Sequence, residues 1–316
     1  MVASEIKAWL SGQGWEGAQL EPVAGGTNNS VFRIEGARGR ALLKISQSKL
    51  DDPRDRFRAE KDFYDLLEKL ALHGAPRRYA FNQSLGAALY EWIGGSPVAG
   101  ELGKEALGQA IDFLAAVQQG GRDGGERKAS EACFSWAEHE KLIERRLEGL
   151  GNQPQEISVF VQRQLRPFWR ETKAKLERAK AADFASAGGR RILSPGDFGF
   201  HNALRVEDGK IVFFDFEYSG WDDPAKTVAD IFLQPERPVD FEHWYAFCAQ
   251  LLVRASLDRG FPERATALLP LFGVKWACIL LSAVSKRSAH GGISVEEQTG
   301  KAMRVLSRAR SAQYRL

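Results

Sequence analysis

Three cysteines in 316 residues are too few and too scattered to staple a fold. Cys133, Cys248 and Cys278 form no C-x-x-C pair, so neither a disulfide framework nor structural zinc is expected, and a reducing cytoplasm is the simplest setting. Neither sign of charge is in real excess. The 44 basic against 41 acidic residues leave +3, too little to support binding to nucleic acid. No uninterrupted apolar run reaches about 18 residues, and Glu5 and Lys7 fall where a secretory signal would carry its apolar core. Neither a membrane span nor export is expected. The patterns G-x4-G-K-[ST], G-x-S-x-G and H-E-x-x-H are all missing, which removes the common P-loop, α/β-hydrolase and zincin readings. One dinucleotide pattern is present by letter, from Gly12 to Gly17. It follows an apparent helix over Glu5 to Leu10 where the chemistry needs a strand, and no helix-length pattern comes after it, so it is set aside.

The residues that are present, 44% hydrophobic and 27% charged, describe a globular chain long enough for two domains or two lobes. Strand-like runs at Leu20 to Val23, Val31 to Glu35 and Arg40 to Ile45 precede a charged amphipathic helix from Pro53 to about Leu72 and a further strand from Ala87 to Trp92. Gly36 to Gly39 reads as a hairpin turn. Gly94-Gly95-Ser96-Pro97 breaks the last strand and sets the expected boundary, giving a β-rich lobe over 1–93 and a mainly helical lobe over 94–316. Helices are expected near 101–119, 131–149, 155–183, 240–257, 263–289 and 295–312. Three short apolar runs interrupt them, at 191–193, 203–206 and 211–214. Polar loops between such runs are where function tends to sit.

Those loops read Ser194-Pro195-Gly196-Asp197-Phe198-Gly199-Phe200-His201-Asn202 and, beyond two of the runs, Asp215-Phe216-Glu217. Phosphoryl transfer needs a carboxylate to orient and deprotonate the attacking hydroxyl and oxygen ligands for Mg²⁺. Asp197 is the expected base, with Asn202 and Asp215 as metal ligands. Asp197-Phe198-Gly199 spells a protein-kinase metal triplet, but no catalytic Asp and metal Asn precede it, and residues 175–190 offer only Asp183. In the first lobe, Gly25-Gly26-Thr27-Asn28-Asn29-Ser30 lies between two strand-like runs, where glycines let backbone N–H groups approach phosphates. Lys44 on the next strand is placed to neutralise phosphates, with Glu60 on the following helix to hold it. Each residue has a plainer reading. Lys44 alone is an exposed strand residue, and Glu60, among Arg54, Asp55, Arg56, Arg58 and Lys61, belongs to a solvated helix face. His201 alone is a hydrogen-bonded loop histidine.

These motifs resemble the aminoglycoside phosphotransferase and choline kinase superfamily, small-molecule kinases related to the protein kinases. The resemblance rests on Gly196-Asp197 with Asn202, on Asp215-Phe216-Glu217-Tyr218, and on Asp223-Pro224 with Asp230, and spans roughly residues 20–290. It implies an α+β fold, a two-lobed protein-kinase-like architecture with a small β-rich N-terminal lobe and a larger helical C-terminal lobe. It also implies ATP and Mg²⁺ as cofactors, adenine received by the hinge at Glu91, Trp92 and Ile93, and Asp230 bracing the catalytic loop. Pro195 departs from the family, which has a loop-bracing histidine there. The activity implied is transfer of the ATP γ-phosphate to a hydroxyl of a small molecule: sugar-like, an amino alcohol or an aminoglycoside. Tyr218, Trp221 and basic residues near 263–289 are expected to border the acceptor, so a neutral or acidic sugar-like molecule is favoured over a polycation. A non-catalytic nucleotide-binding scaffold and a protein kinase are the alternatives, the second weakened by the absence of Ala-Pro-Glu after Asp215.

Overall fold

The computed structural model describes residues 2–23, 29–47, 54–120, 127–151, 153–178, 191–287 and 294–315. The chain divides into two compact units, Met1–Gly100 with Asn202–Ser219, and Glu101–His201 with Gly220–Leu316.

In the first unit, helix α1 (Val2–Gly12) leads into strands β1 (Gln19–Pro22), β2 (Asn29–Gly36) and β3 (Gly39–Ser46). Gly36 pairs with Gly39 across the hairpin, and Gly39 at φ +95° takes the left-handed turn position that glycine allows. Helix α2 (Arg56–Lys69) starts where the Asp55 carboxylate accepts from the Arg58 N–H at 2.9 Å. Strands β4 (Arg78–Asn82) and β5 (Ala87–Glu91) complete a five-stranded sheet in the order β1-β2-β3-β5-β4, so β3 is its central strand. Ile6, Leu10 and Trp15 pack with Ile34, Ala41, Leu43, Ala87 and Leu89 as the core. Trp15 therefore fills the centre of the glycine pattern at 12–17, which is a packing turn.

The stretch at 94–97 is more than a break. Gly95–Pro97 forms strand β6, paired with β8 (Ala203–Val206), which in turn pairs with β9 (Ile211–Phe213). A Cβ at Gly95 would meet the Arg205 carbonyl oxygen at 2.8 Å, so this pairing requires glycine. Two of the three expected apolar runs thus build a hairpin in the first unit. The other, β7 (Ile192–Ser194), pairs in the second unit with β10 (Gly220–Asp222).

That second unit is helical: α3 (Lys104–Gly120), α4 (Trp136–Glu148), α5 (Gln155–Phe160), α6 (Arg166–Arg178), α7 (Pro224–Leu233), α8 (Trp244–Arg254), α9 (Phe261–Arg287) and α10 (Val295–Arg315). The helix expected over 155–183 is divided by a π-turn at Val161–Leu165, and Asp183 lies outside the described residues. Asp223 caps α7 and Pro224 takes its first position, as the Asp-Pro pair dictates. Residues Phe261–Val284 of α9 are apolar enough to cross a membrane, with mean hydropathy 1.9, yet 78% of that window is buried within the protein. A core helix accounts for it. All three cysteines are free and buried, and burial pushes each thiol up to about 12, so none is a reactive thiolate.

Candidate active site

Within the first unit, alternation along β3 turns Ala41 and Leu43 into the sheet's core, and Lys44 is buried as well at 7% exposed. The helical spacing of Arg56, Ala59, Glu60, Phe63 and Leu67 makes one buried face of α2, with Glu60 only 3% exposed. Neither plainer reading survives. The Lys44 Nζ donates to Glu60 at 2.7 and 2.9 Å and to Asp215 Oδ1 at 2.5 Å. Burial works to lower Lys44, but Asp215, Glu60 and Glu217 outweigh it and hold its ammonium above the ordinary lysine value. Burial pushes Glu60 up to about 7 against the pull of Lys44.

The Asp215-Phe216-Glu217 stretch is fixed residue by residue. Phe216, 1% exposed, packs on Phe63 and Tyr64 with ring centroids 4.6 and 5.6 Å away. Glu217 is buried at 3% and accepts from Asn29 Nδ2 at 2.8 Å and Arg56 Nη1 at 3.3 Å. Ser219 Oγ donates to the Ala59 carbonyl at 2.9 Å. Asp215 alone keeps a third of its side chain accessible, 36%, and its backbone is left-handed at φ +67°. Ala203 pairs with Phe213, and the Phe214 N–H donates to the Asn202 carbonyl at 3.0 Å, so Asn202 and Asp215 leave the same end of the β8–β9 hairpin. A carboxylate and an amide oxygen make a donor set suited to a hard cation such as Mg²⁺, which takes few protein ligands and completes its shell from phosphate and water. The residues fit the metal.

Of the expected phosphate loop, Gly25, Gly26, Thr27 and Asn28 lie outside the described residues. Asn29 and Ser30 open β2, where Asn29 is spent on Glu217 and the Ser30 hydroxyl accepts from Gln47 at 3.0 Å. At the expected hinge, the Glu91 N–H donates to the Arg77 carbonyl at 2.7 Å. Trp92 and Ile93 line a cleft of about 620 Å³ with Ser96, Arg205 and Glu207.

In the second unit, the loop around Asp197 is held from below. Ser194 Oγ accepts from the Gly196 N–H at 3.1 Å and from Thr227 Oγ1 at 3.0 Å. Phe198 stacks on Phe113 at 5.7 Å and Phe200 is 2% exposed. Gly196 at φ +66° and Asp197 at φ +35° are consecutive left-handed residues. Among the described residues five non-glycines have positive φ, and two are Asp197 and Asp215, the kind of strain that collects at working sites. Asp230 does not serve as the expected loop brace. Its carboxylate accepts from Lys275 at 2.7 Å and Trp276 Nε1 at 2.8 Å and lies 3.4 Å from Lys226. Thr227, one turn earlier on the same helix, is what reaches the loop, and only its position beside Asp-Pro marked it in sequence.

Four charged side chains of α4 are paired within the second unit. Glu138 binds Lys128 and the Phe134 N–H, Glu140 binds Lys173, Glu144 binds Trp169, and Arg146 binds Glu131. The side chains of Lys286 and Arg287 lie outside the described residues. Back in the first unit, the Tyr218 ring carries Arg54 and Arg56 at 5.4 and 6.0 Å from its centroid.

This sheet unit and helical unit make the fold of the protein-kinase-like small-molecule kinases. Choline kinase LicA from Streptococcus pneumoniae superposes with a TM-score of 0.66 at 17% identity, covering 99% of each chain. Choline kinase from Cryptosporidium parvum gives 0.67 at 12% identity, covering 99% of this chain and 96% of its own. A spectinomycin phosphotransferase, solved with ADP and spectinomycin, gives 0.64 at 10% identity over 98% of each chain. No curated protein matches by sequence. The profile of the phosphotransferase enzyme family matches residues 19–265, so the chain belongs to that family and is a small-molecule kinase acting on hydroxyl groups.

Proposed function

We propose that this enzyme transfers the γ-phosphate of ATP, with Mg²⁺, to a hydroxyl of a small hydroxylated molecule in a reducing cytoplasm. The observation that carries the reading is the buried Lys44–Glu60 pair reaching a left-handed, partly exposed Asp215. Lys44 clamps the nucleotide phosphates, and Glu60 keeps its ammonium from swinging away. Asn29 and Ser30 belong to the expected phosphate loop, and Glu91, Trp92 and Ile93 receive the base. Asn202 and Asp215 would hold Mg²⁺, which supplies charge neutralisation at the phosphates when bound. Asp197 accepts the proton of the acceptor hydroxyl as its oxygen bonds to the γ-phosphorus, while the bond from that phosphorus to the bridging oxygen breaks and ADP departs. For the acceptor we favour a neutral or anionic sugar-like molecule. The Tyr218 face is already occupied by two guanidinium groups, which disfavours cation capture there.

Thermal unfolding with Mg-ATP is the first test: at about 100-fold excess over Kd, binding should add about 2.7 kcal/mol. Asp215→Asn should lose that gain. Asp197→Asn should keep it and lose turnover by about 10²–10⁴-fold. Unfolding indifferent to Mg-ATP would favour the scaffold alternative. Turnover compared across neutral polyols, acidic sugars, choline, ethanolamine and spectinomycin then tests the acceptor, and a cation preferred by about tenfold in kcat/KM overturns that part.

A further inference from the structure

Residue 195, two before Asp197, is a proline with neither an imidazole nor a backbone N–H to offer the loop. On the other side of the loop stands His201. Its Nε2 lies 3.4 Å from Asp197 Oδ1, and neither ring nitrogen has a hydrogen-bond partner although both are buried. Its side chain is 13% exposed against 33% for Asp197. The ring also has a seat cut for it. A Cβ at Gly199 would come within 2.9 Å of His201 Nδ1 and 3.2 Å of Cε1, so residue 199 has to be glycine for the imidazole to lie where it does. Phe198 and Phe200, both buried, take the alternate positions and fix the loop from beneath.

A donor beside a carboxylate, left with no other partner in a pocket opened by a missing side chain, has one function the surroundings can explain. We infer that His201 is the positioning residue for Asp197: its Nε2–H donates to Oδ1 and turns the other carboxylate oxygen toward the acceptor hydroxyl. At 3.4 Å the contact is longer than a formed hydrogen bond, as such contacts commonly are before substrate binds. Gly199 belongs to the same device. The inference rests on Asp197 being the proton acceptor, and it assigns His201 no proton transfer of its own.

The test is a double-mutant cycle read in kcat and KM for Mg-ATP, with the best acceptor of the panel above or, if none turns over, with the slow transfer of the γ-phosphoryl group to water, which releases ADP and phosphate. His201→Ala should lower kcat by about tenfold to a hundredfold and leave the KM for Mg-ATP within about twofold, and His201→Gln, whose amide reaches a similar position, should recover most of it. Gly199→Ala should lower kcat in the parent yet add nothing to His201→Ala. Full kcat in His201→Ala, alongside a dead Asp197→Asn, overturns the inference and leaves the function intact. So does a Gly199→Ala loss that persists without the histidine. Long-range ¹H–¹⁵N spectra give a readout independent of activity. His201 should appear as the Nε2–H tautomer and lose that preference in Asp197→Ala, and a tautomer indifferent to Asp197 overturns the pairing even if the kinase reading itself has failed.

Discussion

Each unit contains a buried network of charges, and the two are built to different ends. In the first, Lys44 and Glu60 are 9% and 4% exposed at their side chains, but the third member, Asp215, is 36% exposed. Arg56 and Glu217 extend the same cluster. In the second, Asp222, Lys226, Asp230 and Lys275 are all at most 8% exposed, and two lysines balance two aspartates. An ion network with an open end is a place for a ligand, whereas a closed one only holds structure. Helical spacing in the sequence marks three members of the closed network, Asp222, Lys226 and Asp230, whereas the open one joins residues far apart in the chain.

Breaking the closed network should have the larger effect on stability. Lys226→Met leaves Asp222 and Asp230 facing one another without their shared cation, and denaturant unfolding should show a loss of about 3–5 kcal/mol. A loss below about 1 kcal/mol would mean that the tetrad is not closed in solution.

The next effect is a pH dependence beside the same network. His139 is 1% exposed with neither nitrogen hydrogen-bonded, and burial lowers it to about 4, with Asp223 and Glu138 opposing and Lys275 and Lys226 reinforcing. A base depressed from 6.5 contributes stability that is complete above that value and is lost as the pH falls toward 4. Asp222, which burial pushes up to about 6, works in the opposite sense, so the histidine has to be isolated by substitution. Between about pH 7.5 and about pH 4.5 the parent should lose about 2–3 kcal/mol more than His139→Phe in matched urea titrations. Parallel curves would refute it.

Glu60→Gln in the open network should barely register in stability, under about 1 kcal/mol, because the fold already strains to keep that acid charged and Lys44 retains Asp215. Activity should report it instead, with kcat/KM for Mg-ATP down about tenfold. Equal losses from Glu60→Gln and Lys226→Met would erase the distinction between the networks.

Much of this was legible in the sequence. Alternation and turn glycines marked the β2–β3 hairpin, apolar residues at 3.6-residue spacing marked most of the helices, and Asp-x4-Asn with the later Asp picked out the loops. Other elements left no local trace. Strand β4 pairs with β5 through an irregular register near Arg78 and Ala80, so its side chains do not alternate cleanly. Strand β6 is three residues of turn-forming composition that become a strand only because β8 lies alongside. Glu60 read as solvated because five neighbours are charged, yet it is held by Lys44 on another element, whose other carboxylate, Asp215, stands 171 residues beyond that lysine. Burial of a charge is decided by those remote partners. The family resemblance assigned Asp230 the loop's brace, but helical geometry presents Thr227 to Ser194 and turns Asp230 to Lys275.

The first unit is discontinuous in the chain, and that orders events during synthesis. Lys44 and Glu60 emerge early, yet the carboxylate that completes their network follows Lys44 by 171 residues. At about 5–20 residues per second the ribosome takes roughly ten to thirty seconds to deliver it. For that interval the nascent sheet holds a lysine and a glutamate without Asp215, and β6 has no strand to pair with. The unit that emerges first is therefore finished only after about half of the second has been made.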